Sequence, residues 1–313
     1  MLNLAKELLA YHNAQVILSS NQMAKLRAVR DANRQRIKDG LREAGFRQPL
    51  QFCSQGSYAM RTVIWKEDKN FDIDDGVYFE KEQLCGLRGA EMTTLQAREL
   101  IRDAVDDGRF AYKPEVRTNC VRIWYSDGYH VDMPVYRKIV KNSFWSGTES
   151  YFELAGSMWR RADARAVTTW FEAQTARYNG DELQGGQLRR MVRLLKDFAH
   201  SRPSWTERTV TGFMISVLAS NTFKPMTGRD DECLFRLMES ISSSLWWSSS
   251  IQHPVLRNES LTRSDDGRPN FFREQLKDAI KSLEKLKYSK DRALGLRIWD
   301  RVFNTDYFTS NFS

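Results

Sequence analysis

Three carboxylates and a Gly-Ser step stand at the edges of apolar runs in the first half of this sequence. QGSYAMRTVI (55–64) places Gly56-Ser57 just after the apolar segment PLQFCS. FDIDDGVYF (71–79) sets Asp72, Asp74 and Asp75 at the start of what reads as a buried strand, and YHVDMPVY (129–136) carries Asp132 inside another. Strand alternation sends Asp72 and Asp74 to one face and Asp75 to the other. Two carboxylates ~7 Å apart on one face repel each other unless a cation sits between them. Mg²⁺ takes oxygen ligands of this kind together with substrate phosphates. If the Asp132 strand neighbours FDIDD, three carboxylates converge in the layout of a two-metal phosphoryl-transfer site. Gly56 would let the backbone approach a phosphate, amides at a helix start bind anions, and the Ser57 hydroxyl adds a hydrogen bond. A lone DxD more often marks a solvated strand end, and a lone Gly-Ser means less still. The ordered combination carries the chemistry.

Elements must hold these groups. Residues 3–45 read as one long helix or two in succession, ending at Gly45, with Leu8, Val16, Ile17, Met23, Leu26, Val29, Ile37 and Leu41 at helical spacing. A short turn or helix follows Ser57, then the exposed loop KEDKN, then the FDIDDGVYF strand. EMTTLQARELIRDAVDDGRF reads as a helix, and VRTNCVRIWYSDGYHVDMPVYR as two strands joined around Ser126-Asp127-Gly128. After about residue 160 the helical patterns RADARAVTTWFEAQTARY, GGQLRRMVRLLKDFAHSR, TGFMISVLASNTF, FREQLKDAIKSLEKLKYS and RALGLRIWDRVF dominate, with SSSLWWSSSIQHPVLRNESLTRSDDGRPN read as loop. The expectation is an α+β fold in two domains, 1–160 and 161–313, with the N-terminal helix packing across both.

The 313 residues leave room for a sizeable core, and 41% apolar residues with seven prolines exclude disorder. A net charge of +8 suits polyanionic ligands such as nucleotides or RNA. Four separated cysteines without a CxxC pair argue against zinc ribbons or a disulfide framework and for reduced thiols in a cytosol. MLNLAKELLAYHNAQ lacks a basic n-region, so no signal peptide is expected, and no run approaches a membrane span. A cytoplasmic protein is expected.

GS, then DxD, then a distant Asp resembles the nucleotidyltransferase fold shared with DNA polymerase beta. QGSYAMRTVI, FDIDDGVYF, YHVDMPVYR, GQLRRMVRLLKDFA and TGFMISVLA together resemble the bacterial cGAS/DncV-like nucleotidyltransferases (CD-NTases), over nearly the whole chain. That resemblance implies a nucleotidyltransferase core, a helical domain and an active site in the cleft between them. It implies synthesis of a cyclic di- or trinucleotide messenger from NTPs, ATP or GTP foremost, in CBASS antiphage signalling, with a downstream effector that senses the product. Residue by residue, Gly56 and Ser57 would hold the donor triphosphate, Asp72 and Asp74 would bind two Mg²⁺ (Mn²⁺ substituting), and Asp132 would complete the metal site. In GQLRRMVRLLKDFAHSR, the residues Leu188, Met191, Val192, Leu195 and Ala199 form an apolar stripe flanked by Arg189, Arg193 and Lys196. Related enzymes place a lysine there on the donor phosphates, the position of Lys196, with Arg193 beside it; the plain alternative is a solvated basic face.

His130 shares a face with Asp132, as a partner or as a packed strand histidine. Tyr78, Tyr136, Trp145 and Trp159 are base-stacking candidates for which core packing is the better prior. Asn258 and Glu259 are candidates for base or ribose contacts, or loop caps. No His/Cys cluster supports the DNA sensing of the animal relative, and a monomer is expected. The ending TSNFS is not the small residue that companion ligases conjugate, so such conjugation is not expected. The competing readings are a transferase acting on an RNA 3′ end and a nucleotide sensor without catalysis.

Overall fold

Ser19 and Gln22 start the longest helix. The serine hydroxyl accepts the Gln22 N–H at 3.3 Å, and the Gln22 side chain accepts the Ser19 N–H at 2.8 Å. The structure is a computed structural model and describes residues 1–65, 72–86, 89–143, 147–178 and 186–313; the KEDKN loop and Trp145 lie outside the described residues. In chain order the first elements are α1 (Ala5–Tyr11), a π turn (His12–Val16), α2 (Ser20–Glu43), β1 (Gln51–Gln55), α3 (Gly56–Ala59), β2 (Asp72–Glu80), α4 (Thr94–Val105), β3 (Glu115–Val116), β4 (Val121–Trp124), β5 (His130–Met133) and β6 (Val135–Ser143). There follow β7 (Gly147–Ala155), β8 (Trp159–Arg161), α5 (Ala164–Arg177), α6 (Gly186–His200), α7 (Gly212–Thr222), α8 (Asp230–Trp247), α9 (Arg268–Leu283), α10 (Arg292–Phe303) and α11 (Tyr307–Phe312).

The chain forms two compact units. One comprises Leu18–Met60 and Lys66–Thr169, the other Met1–Ile17, Arg61–Trp65 and Trp170–Ser313. This differs from a single cut near residue 160, because α1 and the short Arg61–Trp65 segment group with the helices. The N-terminal helical stretch is two helices, parted where Ile17 turns extended ahead of the Ser19 cap.

In the sheet unit the strand order is β3-β4-β5-β2-β6-β7-β8, with β1 pairing β2. β2 runs parallel to β5 and β6 with one constant offset, since 130 − 72 and 135 − 77 both equal 58. The Pro134 carbonyl bridges the join by accepting the Val77 N–H at 2.9 Å. Ile73, Val77, Phe79, Val131, Val135 and Ile123 are fully buried. On that face Asp75, with no exposed surface, is held by Arg34 of α2 through Nε at 2.6 Å and Nη2 at 2.5 Å, and by the Ser54 hydroxyl at 3.0 Å. The opposite face packs Tyr78 flat against Tyr136, ring centroids 4.5 Å apart, with Phe152 and Leu154. The strands β7 and β8 were not anticipated from sequence, although Phe152 and Leu154 alternate with more exposed neighbours.

In the helical unit α7 is buried without a break from Met214 to Ser220, the pattern of a core helix. α8 runs through Ser242, Ser243 and Ser244 to Trp247, which corrects the loop expected there: Phe235, Met238, Ile241 and Leu245 carry its buried stripe past the serines. Among the described residues no helix is long and apolar enough to cross a membrane.

Two groups of this unit make opposite contributions to its pH dependence. Tyr11 donates its hydroxyl to Asp197 of α6 at 2.7 Å, and burial pushes the Asp197 carboxyl up to about 6. His12 is 1% exposed, and burial, with the charge of Arg193 beside it, lowers its imidazole to about 4. Asp197 therefore adds stability that is full below its unfolded value of 3.8 and is lost as pH rises through about 6. His12 adds stability that is full above 6.5 and is lost as pH falls toward about 4. The windows overlap, so the two slopes offset. Asp197→Asn removes the first and exposes the second. Between pH 7 and 4.5 its unfolding free energy should fall by about 2 kcal/mol more than that of the wild type. Urea titrations at stepped pH check this; parallel profiles for the two proteins would refute it.

Candidate functional site

Asp74 sits beside Asp132. They are register partners on the parallel strands β2 and β5, so their side chains leave the same face. Gln55 of β1 is the partner of Asp74 on one side, and Arg122 of β4 the partner of Asp132 on the other. Arg122, Asp132, Asp74 and Gln55 thus form one row across four strands. Asp72 opens β2 opposite His130; its side chain lies outside the described structure. Asp74 is half-buried and Asp132 is 7% exposed. Among the described residues no group of three or more His, Cys, Asp or Glu could hold a metal ion; the carboxylates the structure brings together are this pair.

Gly56 is required here for two reasons. Its φ of +62° is left-handed. A Cβ at this position would also lie 2.1 Å from Asp74 Oδ2 and 3.1 Å from its Cγ. The carboxylate occupies the space that the missing side chain leaves. Gly56→Ala should therefore lower stability by about 1–3 kcal/mol and drive Asp74 from its place. Chemical denaturation measures the loss, and adding Asp74→Ala should return the clash part while leaving the backbone strain. Ser57 follows, half-buried in the four-residue helix α3. Ahead of them Gln55, 3% exposed, accepts the Tyr136 hydroxyl at 3.0 Å, so the stacked tyrosines under the row fix the entry to the Gly-Ser step.

Asp132 is not a bare carboxylate. Arg122 forks onto it, Nε to Oδ1 at 2.8 Å and Nη2 to Oδ2 at 2.7 Å. His130 Nε2 lies 3.9 Å from Oδ2, with its ring 4.8 Å from that of Trp124. Burial and the negative charge of Asp132 push the neighbouring Cys120 thiol up to about 12, so it stays protonated.

Sequence reading missed Arg122, although a signal was present. The hairpin turn centres on Asp127, and Arg122 and Asp132 are each five residues from it, so they must face each other. Tyr78 and Tyr136 are core residues, 0% and 4% exposed. Trp159 is half-buried beneath the Arg137 guanidinium at 4.2 Å. Asn258 takes a left-handed turn, φ +63°, and the carbonyl of exposed Glu259 accepts the His253 N–H at 2.8 Å. In the helical unit Lys196 is buried, its Nζ donating to the Thr62 carbonyl and hydroxyl, both at 3.0 Å. Arg193, also buried, donates to the Arg61 carbonyl through Nε at 3.0 Å and Nη2 at 2.5 Å. Burial, then the charges of Arg189, Arg190 and Arg61, bring its guanidinium down to about 10. The flank of α6 is therefore enclosed rather than a solvated basic face.

Residues 50–136 match the nucleotidyltransferase domain of the cyclic GMP-AMP synthase DncV-like family. They contain the whole row and the Gly-Ser step, so the match to a DncV-like nucleotidyltransferase domain falls on the candidate site itself. The entire fold resembles solved members of that group. Vibrio cholerae DncV cyclic AMP-GMP synthase, with a linear intermediate, aligns at TM-score 0.74 and 15% identity over 98% of each chain. The CD-NTase CdnG of Bradyrhizobium diazoefficiens, with GTP, aligns at 0.72 and 16% over 98% of each. Escherichia coli DncV, with 3′-deoxy GTP, aligns at 0.71 and 17% over 95% of this chain and 94% of that one.

Proposed function

We propose that this chain joins NTPs into a cyclic di- or trinucleotide second messenger, with Mg²⁺, as part of bacterial antiphage signalling. The observation that carries the reading is the pairing of Asp74 with Asp132 beside Gly56, inside a domain of the DncV-like family. Solved relatives bind GTP or a linear dinucleotide intermediate, which supports NTPs as substrates.

The donor set suits a hard divalent cation, because two oxygen ligands share one face and a guanidinium already stands on one of them as a cation. Asp72, Asp74 and Asp132 would hold it. Bound there, magnesium would neutralise phosphate charge and lower the pKa of the acceptor hydroxyl. The chain's own residues do the rest. Gly56 and Ser57 present backbone and hydroxyl donors to the donor phosphates. Gln55, fixed by Tyr136, sets where that step begins. In the helical unit the same reading assigns Lys196 and Arg193 to phosphate charge, with the two Thr62 bonds exchanged on binding. With Arg190 paired to Asp230 at 2.6 Å, the charges of Arg61, Arg189 and Arg193 are the ones that favour a polyanion.

The test is incubation of the purified protein with labelled ATP, GTP, CTP and UTP and Mg²⁺ or Mn²⁺, then phosphatase, omitting one base at a time. A phosphatase-resistant product identifies a cyclase and its bases. Activity only on an added RNA 3′ end, or NTP binding without pyrophosphate release, would replace this reading with a transferase or a sensor.

A further inference from the structure

We propose that Arg122 is a built-in counter-cation that holds Asp132 against divalent metal until nucleotide arrives, so that metal and nucleotide load together. The inference rests on the metal reading of the Asp74–Asp132 pair and adds to it a residue that sets the order of loading.

Arg122 meets Asp132 through two parallel N–H···O bonds, at 2.8 and 2.7 Å, and both carboxylate oxygens are engaged. The guanidinium is itself positioned, with its carbon 5.3 Å from the centroid of the Trp124 ring. Strand register places it directly beside Asp132. The pair is largely desolvated, with side-chain exposures of 26% and 11%, so the attraction is stronger than at an open surface. A metal ion approaching Asp132 alone must share the carboxylate with a fixed positive charge. A metal ion that arrives with a triphosphate brings negative charge that offsets the same guanidinium.

Mn²⁺ binding to the full-length protein, read from the free-ion electron paramagnetic resonance signal, tests this with and without a non-reacting GTP analogue. Arg122→Gln should bind Mn²⁺ about tenfold more tightly than wild type when nucleotide is absent, and the difference should shrink when the analogue is present. Arg122→Met, which keeps an apolar stem over Trp124, should behave as Arg122→Gln does. Arg122→Lys, which keeps the charge, should stay near wild type. Equal or weaker Mn²⁺ affinity in both neutral variants overturns the proposal while leaving the metal reading intact. No Mn²⁺ binding by any of the proteins, with or without the analogue, overturns both.

Discussion

Asp74→Asn will lower product formation about a thousandfold, roughly 4 kcal/mol of transition-state stabilisation, and will leave the fold intact. Asparagine keeps the shape of the side chain against Gly56 and removes the charge. In the row Arg122–Asp132–Asp74–Gln55, Asp74 is the member flanked by a carboxylate on one side and a neutral amide on the other. The carboxylate of Asp132 shares its charge with Arg122, and that of Asp74 lies against the Gly-Ser step where the donor phosphates are proposed to sit. The proposed chemistry therefore depends on it directly. Stability should change by less than about 1 kcal/mol, and upward if at all, because repulsion between two neighbouring carboxylates is relieved. Turnover of labelled NTPs and a urea unfolding curve on the same preparation check both halves. Activity within tenfold of wild type would remove Asp74 from the active site.

Local patterns made much of this arrangement legible. Alternation in FDIDD placed Asp74 and Asp75 on opposite faces, and the Ser-Asp-Gly turn located the β4–β5 hairpin; the structure has both. The parallel pairing of β2 with β5 spans 58 residues and has no local signature, so the meeting of Asp74 with Asp132 was a condition rather than a reading. Lys196 shows a different limit. Its position on the flank of α6 follows from helical periodicity, but its burial against Thr62 depends on a segment 134 residues away. α8 escaped notice because serine is a weak helix former. Buried neighbours at helical spacing override that preference, and Ser240 satisfies its hydroxyl on the Arg236 carbonyl at 2.9 Å.

Asp75→Ala, one residue along, will have the opposite signature. Asp75 has no exposed surface, and its carboxylate takes three bonds, two from Arg34 and one from Ser54. Removing it takes the counter-charge from the Arg34 guanidinium, which keeps only the Ser54 hydroxyl oxygen at 3.2 Å of these partners, and takes the acceptor from that hydroxyl, at the junction of α2 with β2. Breaking a buried pair by deleting one partner costs about 3–5 kcal/mol, a large share of the stability of an ordinary domain. Activity should fall because the folded population falls, and a stabilising osmolyte should recover it. Asp74→Asn should not respond to osmolyte at all. Arg34→Met in the Asp75→Ala background should recover part of the lost stability, since it removes the stranded charge as well. If Asp75→Ala unfolds at wild-type denaturant concentrations and is still inactive, Asp75 belongs to the chemistry and not to the clamp. The two adjacent carboxylates then distinguish the faces of β2 in one experiment: one loses rate at constant stability, the other loses stability and takes the rate with it.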